Sequence, residues 1–302
     1  MKPLPHCVVL SVMYRNEGTV EDLLASLAVE AELISEVILV DNGSGDRSAD
    51  IAETALRRLN LPGRVVRSTN TGFAGGYETA RRAISTDGVI LCVNPDVSLA
   101  PGTIAALLEA TSFPHVAIAT APLRNLQGEE DTASRRRLPT LGGATMYAIL
   151  GRLLPARLRY NSLDRQALKR GPQLSDGSPT TAVEATTGAL MMLSPSFRNR
   201  GTTIFDLDYW MYGEDLQLCL DAARSGKSVL MVERDASTHV KGASSGLPRS
   251  RTSDRAFHDA LFTYYAKNLQ RNRAERAAVR LAVKVRFLVS RAQSGIATRR
   301  SA

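Results

Sequence analysis

One stretch decides the fold: Val89-Ile90-Leu91-Cys92-Val93-Asn94-Pro95-Asp96. Its run of apolar residues, rich in β-branched side chains, predicts a buried strand. Pro95 has no N–H for a sheet ladder, so the strand ends before it and delivers Asp96 at its carboxyl end. In open α/β sheets ligands bind at that edge, where a carboxylate suits a hard cation. The alternative is an ordinary turn that Asp96 caps.

Strands and helices alternate on both sides of this stretch, with short turns between them. The predicted strands span 7–14, 36–40, 64–67 and 116–120, and the predicted helices span 18–30, 46–59, 70–84 and 101–110. Such alternation is typical of a largely parallel sheet flanked by helices. The pattern weakens over 122–180, where we expect an amphipathic helix at 141–154 and solvated surface charge at Arg135-Arg136-Arg137. Regular structure returns at 182–193 and at a last strand, 227–232.

Two more turns are predicted at the same sheet edge as Asp96. Asp41 ends the second strand, where a carboxylate can bond a ribose hydroxyl or a base N–H. The glycine-rich run 70–76 opens a helix and can bring backbone N–H groups to a phosphate. That run matches neither the Walker loop nor the dinucleotide fingerprint, so a plain helix start is the alternative. Three such turns in one half of the chain indicate a nucleotide site.

A second group of candidate residues lies towards the C-terminus. Glu214 and Asp215 occupy the first turn of a predicted helix, where acids either complement the helix dipole or act as a general base. Trp210 and Tyr212 precede them, and such aromatics either stack on a sugar ring or fill the core. His239 follows the last predicted strand, and we interpret it as a metal ligand that partners Asp96.

Composition is that of an ordinary globular protein. The chain has 302 residues, 44% of them hydrophobic, which suits one large domain with an appendage or two domains. The three cysteines are far apart and lack metal-ligand spacing, so we expect buried, reduced thiols in a cytoplasmic protein. The N-terminal apolar run meets charge at Arg15, too early for a signal peptide, and no segment reaches the length of a membrane span.

The net charge of +8 is concentrated in the C-terminal tail. Residues 267–302 carry ten Lys or Arg and one acid, so the remaining chain is nearly neutral. The predicted tail helix has an apolar face flanked by cations, formed by Leu281, Val285, Leu288 and Val289 beside Arg276, Arg280 and Lys284. It either lies on an anionic membrane surface or packs on the domain with its basic face in water. No base-reading motif accompanies it, so nucleic acid is not expected as a partner.

Taken in order, several short motifs resemble those of the family 2 inverting glycosyltransferases with the GT-A fold. They are 8–17, 40–44, 70–76, 94–96, 187–191, 205–206, 211–215 and His239. Within that family the chain is most similar to bacterial rhamnosyltransferases that extend polyprenyl-diphosphate-linked sugars, over roughly residues 7–246. It departs from the family at Glu78, where Asn is usual, and at Gln217, where an acid is usual.

The resemblance implies roles for individual residues. Asp215 would be the general base with Glu214 beside it, and Asp96 and His239 would hold a divalent cation, Mg²⁺ or Mn²⁺. Asp41 would hold the nucleoside. The other donor-binding residues would be Tyr14, Asn16, Glu17, Asn70, Gly72, Phe73, Gly76 and Asn94. The acceptor-binding residues would be Trp210, Tyr212 and Gly188.

The resemblance also implies an organisation and a reaction. We expect an α/β GT-A domain over 1–250, Rossmann-like with a mostly parallel sheet, and a helical basic extension over 251–302. Its nucleotide-sugar half would span about 1–121 and its acceptor half about 122–250. The expected enzyme moves rhamnose from dTDP-rhamnose to a glycan acceptor that is polyprenyl-diphosphate-linked, in cell-wall or surface polysaccharide synthesis.

The implied location is the cytoplasm, with peripheral attachment to the inner face of the cell membrane. A homo-oligomer is compatible with this fold and location. Two alternatives stay open. One is the same catalytic core with another nucleotide sugar or with a soluble or secondary-metabolite acceptor. The other is an inactive nucleotide-binding scaffold, an interpretation that Glu78 and Gln217 favour and that Asp96, Asp215 and His239 oppose.

Overall fold

The structure is a computed structural model that describes residues 4–140, 169–198, 203–240 and 250–300. Its strands are β1 (Cys7–Met13), β2 (Ile34–Asn42), β3 (Gly63–Ser68), β4 (Val89–Val93), β5 (Val97–Ser98), β6 (Val116–Thr120), β7 (Leu123–Arg124), β8 (Lys169–Arg170), β9 (Thr180–Val183), β10 (Leu190–Leu193), β11 (Ser228–Val232) and β12 (Ser237–His239). Its α-helices are α1 (Val20–Ala28), α2 (Ser48–Arg58), α3 (Gly72–Arg82), α4 (Thr103–Ser112), α5 (Pro195–Arg198), α6 (Glu214–Arg224), α7 (Arg251–Asn268) and α8 (Arg273–Arg300). The helix predicted over 141–154 lies outside the described residues.

A nine-stranded sheet forms the centre, in the order β3-β2-β1-β4-β10-β6-β11-β9-β8. The first four of these strands pair in parallel, as their alternation with helices predicts. β10 enters antiparallel between β4 and β6, and β9 pairs antiparallel with β11. The sheet is therefore mixed but mostly parallel, which confirms the expected α/β class.

Helices cover both faces of this sheet. Apolar residues of α1, α2 and α4 pack on one face, against strand residues such as Val9 and Leu39. Those of α3 and α6 pack on the other, against Val8 and Ile38. Because both faces are buried, the central strands are continuous apolar runs rather than alternating ones. The three cysteines are buried free thiols, as expected.

The glycine-rich run opens a helix, as predicted, and α3 begins at Gly72. Helix α3 lies close enough to the sheet that a Cβ at Gly76 would stand 2.5 Å from Cγ1 of Val12. The glycines there permit close packing of helix on strand. β4 ends at Val93, as Pro95 predicts, and a second sheet of three short strands, β5-β12-β7, begins directly after Asp96.

The two C-terminal helices pack against each other. Ser290 donates a hydrogen bond to Asp254 at 3.2 Å, and Tyr265 donates one to Glu275 at 2.7 Å. One side of α8 faces away from these contacts, and its apolar residues are exposed: Leu281 by 64%, Val285 by 50%, Leu288 by 65% and Val289 by 50%. Over the residues described, none of the helices is both long and apolar enough to cross a bilayer.

Candidate functional site

The small sheet places Asp96 beside His239. Strand β12 pairs antiparallel with β5, so that His239 lies opposite Val97, and the N–H of Val240 donates to the carbonyl of Asp96 at 2.9 Å. As a result Nε2 of His239 lies 3.4 Å from Oδ1 of Asp96, and both side chains are buried. The two residues interpreted as metal ligands, 143 positions apart in the numbering, are thus neighbours in the fold.

Two oxygens at this place lack hydrogen-bond donors. The Oδ1 atoms of Asn94 and Asp96 are buried and make no hydrogen bond with any described residue. A buried polar atom without a partner costs free energy unless a ligand satisfies it. Amide and carboxylate oxygens are the ligands that hard cations prefer, so the residues fit a divalent cation. Among the described residues, no group of three or more His, Cys, Asp or Glu is placed so that it could hold a metal ion.

His239 has a second neighbour, Asp131, that the sequence analysis missed. Oδ2 of Asp131 lies 3.2 Å from Nδ1 of His239. Burial by itself lowers the pKa of His239, but the carboxylates of Asp131 and Asp96 beside its two ring nitrogens outweigh burial and raise that pKa to about 9. Asp131 lies in the weakly patterned segment after β6, where no periodicity or motif marks it.

The turns after β1 and β2 lie at the same edge and are bonded to each other. Asp41 stays partly exposed, and its Oδ1 accepts a hydrogen bond from the Ser44 N–H at 3.2 Å. Asn16 Oδ1 accepts from the Tyr14 N–H at 2.8 Å, and the Asn16 N–H donates to Ser48 at 2.7 Å. Glu17 accepts from the N–H of Arg47 at 3.4 Å. These contacts fix the expected nucleoside-binding turns next to Asp96.

The sequence predicts that N–H groups of the glycine-rich run can approach a phosphate, but three of them are hydrogen-bonded within the chain. The N–H groups of Thr71 and Gly72 donate to the side chains of Asn42 and Asn70, both at 3.0 Å. The N–H of Phe73 donates to the carbonyl of Trp210 at 2.7 Å. The N–H groups of residues 71–73 thus already have acceptors within the chain, and a role of the run in donor binding stays a prediction.

The same turn instead contacts the segment that precedes α6. Gly72 has φ +79°, and a Cβ there would stand 2.2 Å from the carbonyl oxygen of Trp210. Only glycine fits this close approach. The ring of Phe73 packs on Phe205 at 5.4 Å between centroids, and Trp210 is 40% exposed beside it. Trp210 thus stands at the sheet edge with part of its indole open to a ligand.

The two predicted carboxylates begin α6 in different surroundings. Oδ2 of Asp215 accepts a hydrogen bond from the Gly188 N–H at 3.1 Å and pairs with the guanidinium of Arg136. Glu214 is buried, and its Oε2 has no hydrogen-bond partner among the described residues. Burial, followed by the nearby charge of Asp215, raises the pKa of Glu214 to about 8. Glu214 therefore binds its proton more tightly than an exposed glutamate does, while Asp215 is held in an ion pair.

Arg135 and Arg136 overturn the interpretation of the arginine run as solvated surface, whereas Arg137 is exposed as that interpretation expects. Arg135 is 7% exposed and pairs with Glu130 and Glu233, and Arg136 is paired with Asp215 and the carbonyl of Thr186. Arg135 is buried and Arg136 is largely buried because acids face them, two of which, Glu233 and Asp215, come from distant segments. The charge run alone does not reveal those acids.

Helix α7 supports the segment before α6. The hydroxyl of Tyr212 lies 2.7 Å from that of Ser253. Gln217 accepts hydrogen bonds from the hydroxyl of Tyr209 at 3.1 Å and from Asn268 at 2.6 Å. Glu78 pairs with Arg81 and Arg82 on its own helix. At both departures from the family pattern, the side chain makes contacts that stabilise the fold.

Comparison with known proteins agrees with this geometry. A family model, Glycosyl transferase family 2, matches residues 8–179. The curated N-acetylglucosaminyl-diphospho-decaprenol L-rhamnosyltransferase of Mycobacterium tuberculosis is 30% identical over 273 residues, which cover 85% of this chain and 83% of that protein.

Solved structures with the same fold carry nucleotides and manganese. GalNAc-T7 with UDP, GalNAc and Mn²⁺ matches with a TM-score of 0.62 and 14% identity, over 87% of this chain but 48% of that one. The mannosyltransferase PcManGT of Pyrobaculum calidifontis with GDP-Man and Mn²⁺ matches with a TM-score of 0.57 and 15% identity, over 99% and 76%. S. aureus TarS 1–349 with UDP-GlcNAc matches with a TM-score of 0.57 and 14% identity, over 91% of this chain and 70% of that one. At these identities the likeness concerns the fold, and it confirms the expected GT-A architecture.

Proposed function

The chain belongs to glycosyl transferase family 2 and is a glycosyltransferase, and from that premise we propose that it transfers rhamnose from dTDP-rhamnose to a hydroxyl of a polyprenyl-diphosphate-linked glycan. The observation that carries the proposal is the arrangement at one sheet edge. Asp96 has an unpaired buried oxygen beside His239, and Asp215 stands ion-paired nearby in the other half of the site. The similarity to a rhamnosyltransferase over 85% of the chain supports this choice of donor and acceptor.

The leaving group determines what Asp96 and His239 do. Cleavage of the bond between the sugar and the diphosphate places negative charge on the leaving phosphate. Asp96 and His239, with Asn94 next to them, would hold Mg²⁺ or Mn²⁺ there, and the bound cation neutralises that charge without a proton transfer. Asp41 would bond the nucleoside at the adjoining turn.

Inversion requires one base on the opposite side of the sugar. The acceptor oxygen forms a bond to the anomeric carbon as the bond to the diphosphate breaks, and Asp215 takes the hydroxyl proton. The Gly188 N–H and Arg136 orient the Asp215 carboxylate. Burial and Asp215 raise the pKa of Glu214 and so disfavour the carboxylate form that a base needs. Trp210 would offer its exposed indole to the acceptor sugar.

A panel of nucleotide sugars tests the donor. We expect dTDP-rhamnose to raise the melting temperature only when Mg²⁺ or Mn²⁺ is present, because a ligand at 100 times its Kd contributes about 2.7 kcal/mol to stability. The matched control is the same panel with the cation chelated. If a different nucleotide sugar stabilises the protein, that sugar is the donor in place of dTDP-rhamnose. If none does, the result favours the alternative of an inactive scaffold. Product analysis with a lipid-linked acceptor then establishes transfer.

Helix α8 supports a place for the enzyme on the cytoplasmic face of the membrane. Its inner side packs on α7, where the rings of Phe287 and His258 lie 5.5 Å apart. Its outer side exposes Leu281 and Leu288 among cations. The sequence left two alternatives for this helix, packing on the domain or lying on a membrane surface. Its inner side packs on the domain, and its outer side is open to a membrane. An anionic lipid surface is the partner that matches both the charge and the apolar side, and it also carries a polyprenyl-linked acceptor.

Flotation with vesicles tests this attachment. The double substitution Leu281→Gln and Leu288→Gln should abolish binding to anionic vesicles, and added salt should weaken binding of the wild-type chain. The matched control is Leu126→Gln, which alters a leucine that is 69% exposed elsewhere. If wild-type protein ignores anionic vesicles at low salt, the basic helix serves the fold instead.

A further inference from the structure

His239 lies between two buried carboxylates. Its Nε2 faces Oδ1 of Asp96 at 3.4 Å, at the candidate cation site. Its Nδ1 faces Oδ2 of Asp131 at 3.2 Å on the far side of the ring. The side chains of His239 and Asp131 are 9% and 2% exposed, so water does not separate them from their partners. The orientation of the imidazole is therefore set by these two acids.

Asp131 is itself held rigidly. Its backbone N–H donates to the carbonyl of Leu123 in β7 at 2.7 Å, and β7 pairs with β12, the strand that carries His239. Its Oδ1 accepts a hydrogen bond from the Ala133 N–H at 2.8 Å and caps the short turn that follows. With Oδ1 used in this way, Oδ2 is directed at the histidine.

We propose that Asp131 is a positioning residue that fixes the His239 ring with its Nδ1 proton on Asp131 and its Nε2 lone pair directed to the cation. A carboxylate only accepts hydrogen bonds, so Nδ1, which faces Asp131, carries a proton, whereas a cation held by Asp96 would take the place of a proton on Nε2. Histidines that bind metals are commonly oriented by a carboxylate on the other nitrogen, which selects the tautomer. This inference rests on the metal-dependent transfer proposed above.

Asp131→Asn reverses the hydrogen bond without changing the size of the side chain. The Ala133 N–H still needs an acceptor, so the amide oxygen takes that position and the NH₂ group faces Nδ1 of His239. Nδ1 must then accept, and the ring proton moves to Nε2, where it blocks the cation. We expect the affinity for Mn²⁺, measured by calorimetry in the presence of dTDP, to fall about 10–100-fold.

Asp176→Asn is the matched control. Oδ1 of Asp176 caps a turn in the same way, accepting from the Ser178 N–H at 2.8 Å, but its Oδ2 pairs with Arg234 and not with a histidine. This variant should bind Mn²⁺ like wild type. Equal Mn²⁺ affinity in Asp131→Asn and wild type would refute the positioning role and leave the proposed function intact. Absence of Mn²⁺ binding by wild type would overturn both.

Nitrogen NMR of wild-type protein gives a test that does not depend on the variant folding. The chain has four histidines, so the ring signals can be assigned. With Mg²⁺ and dTDP bound, Nδ1 of His239 should carry the proton while Nε2 shows the shift of a ligand atom. A proton on Nε2 and none on Nδ1 would overturn the proposal.

Discussion

Asp215→Asn should bind the nucleotide sugar as wild type does and transfer it about 10²–10⁴-fold more slowly. The amide keeps the shape of the carboxylate and can still accept the hydrogen bond from Gly188, which lies 3.1 Å away. It cannot take a proton from the acceptor hydroxyl at neutral pH. The loss should therefore appear in turnover with donor and acceptor saturating, and calorimetry with the donor should give nearly the wild-type affinity.

Glu214→Gln is the matched control, because it changes the neighbouring acid in the same way. The pKa of Glu214 is raised by burial and then by Asp215, so the neutral form of the wild-type side chain is favoured. An amide resembles that neutral acid, and the variant should lose clearly less activity than Asp215→Asn. Adjacent helix residues also point about 100° apart, so only one of the two carboxyls can face the acceptor.

Two outcomes would contradict this assignment. An active Asp215→Asn beside an inactive Glu214→Gln would mean that the roles are reversed. Activity in both variants would place the base elsewhere, and Asp206 and Asp208 would be the next residues to change. Both are bound by Lys267 of α7, so they would have to leave that ion pair before either could act as a base.

The sequence predicts those parts of the site that depend on the direction of a strand and on the residue at which it ends. Parallel strands present their carboxyl ends together, so Asp41 and Asp96 had to lie at one edge once the alternation of strands and helices was recognised. Pro95 fixed the end of β4 by its missing N–H. These features depend on a few neighbouring residues, which is why a single sequence is sufficient for them.

The parts that the sequence does not predict are pairings between distant segments. Arg136 meets Asp215 across 79 positions, and Asp131 meets His239 across 108. The periodicity of apolar residues does not predict which side chains become neighbours when β10 and β12 pair with the other strands of their sheets. For the same reason an arginine that the run of charge assigned to solvent proved to be buried beside the candidate base.

The glycine-rich run shows a different limit, since one composition suits two purposes. Glycines allow a backbone to approach a phosphate, and they equally allow it to approach another part of the protein. Here Gly76 lies against Val12 and Gly72 against Trp210, contacts that only the folded chain defines. The role of these glycines in donor binding stays a prediction, whereas their packing follows from the distances.

Asp96→Ala should reduce the donor affinity measured with Mg²⁺ or Mn²⁺ to the value that wild type shows when the cation is chelated. The carboxylate supplies one of the few protein ligands at the site, and its removal leaves His239 beside Asn94. Coordination by a cation contributes several kcal/mol to the stabilisation of phosphate charge, and each 1.4 kcal/mol is a factor of ten, so the loss should reach about 10²-fold.

The fold should tolerate this change, which makes the binding result interpretable. Oδ1 of Asp96 has no hydrogen bond to lose, and a buried unpaired oxygen is itself unfavourable. Asp22→Ala, which removes an exposed acid from α1, controls for the change in net charge. Calorimetry of wild type and both variants, each with the cation and with a chelator, gives the comparison. If wild type and Asp96→Ala bind the donor equally and neither responds to the cation, then Asp96 and His239 form a structural pair and the leaving phosphate must be neutralised by other residues.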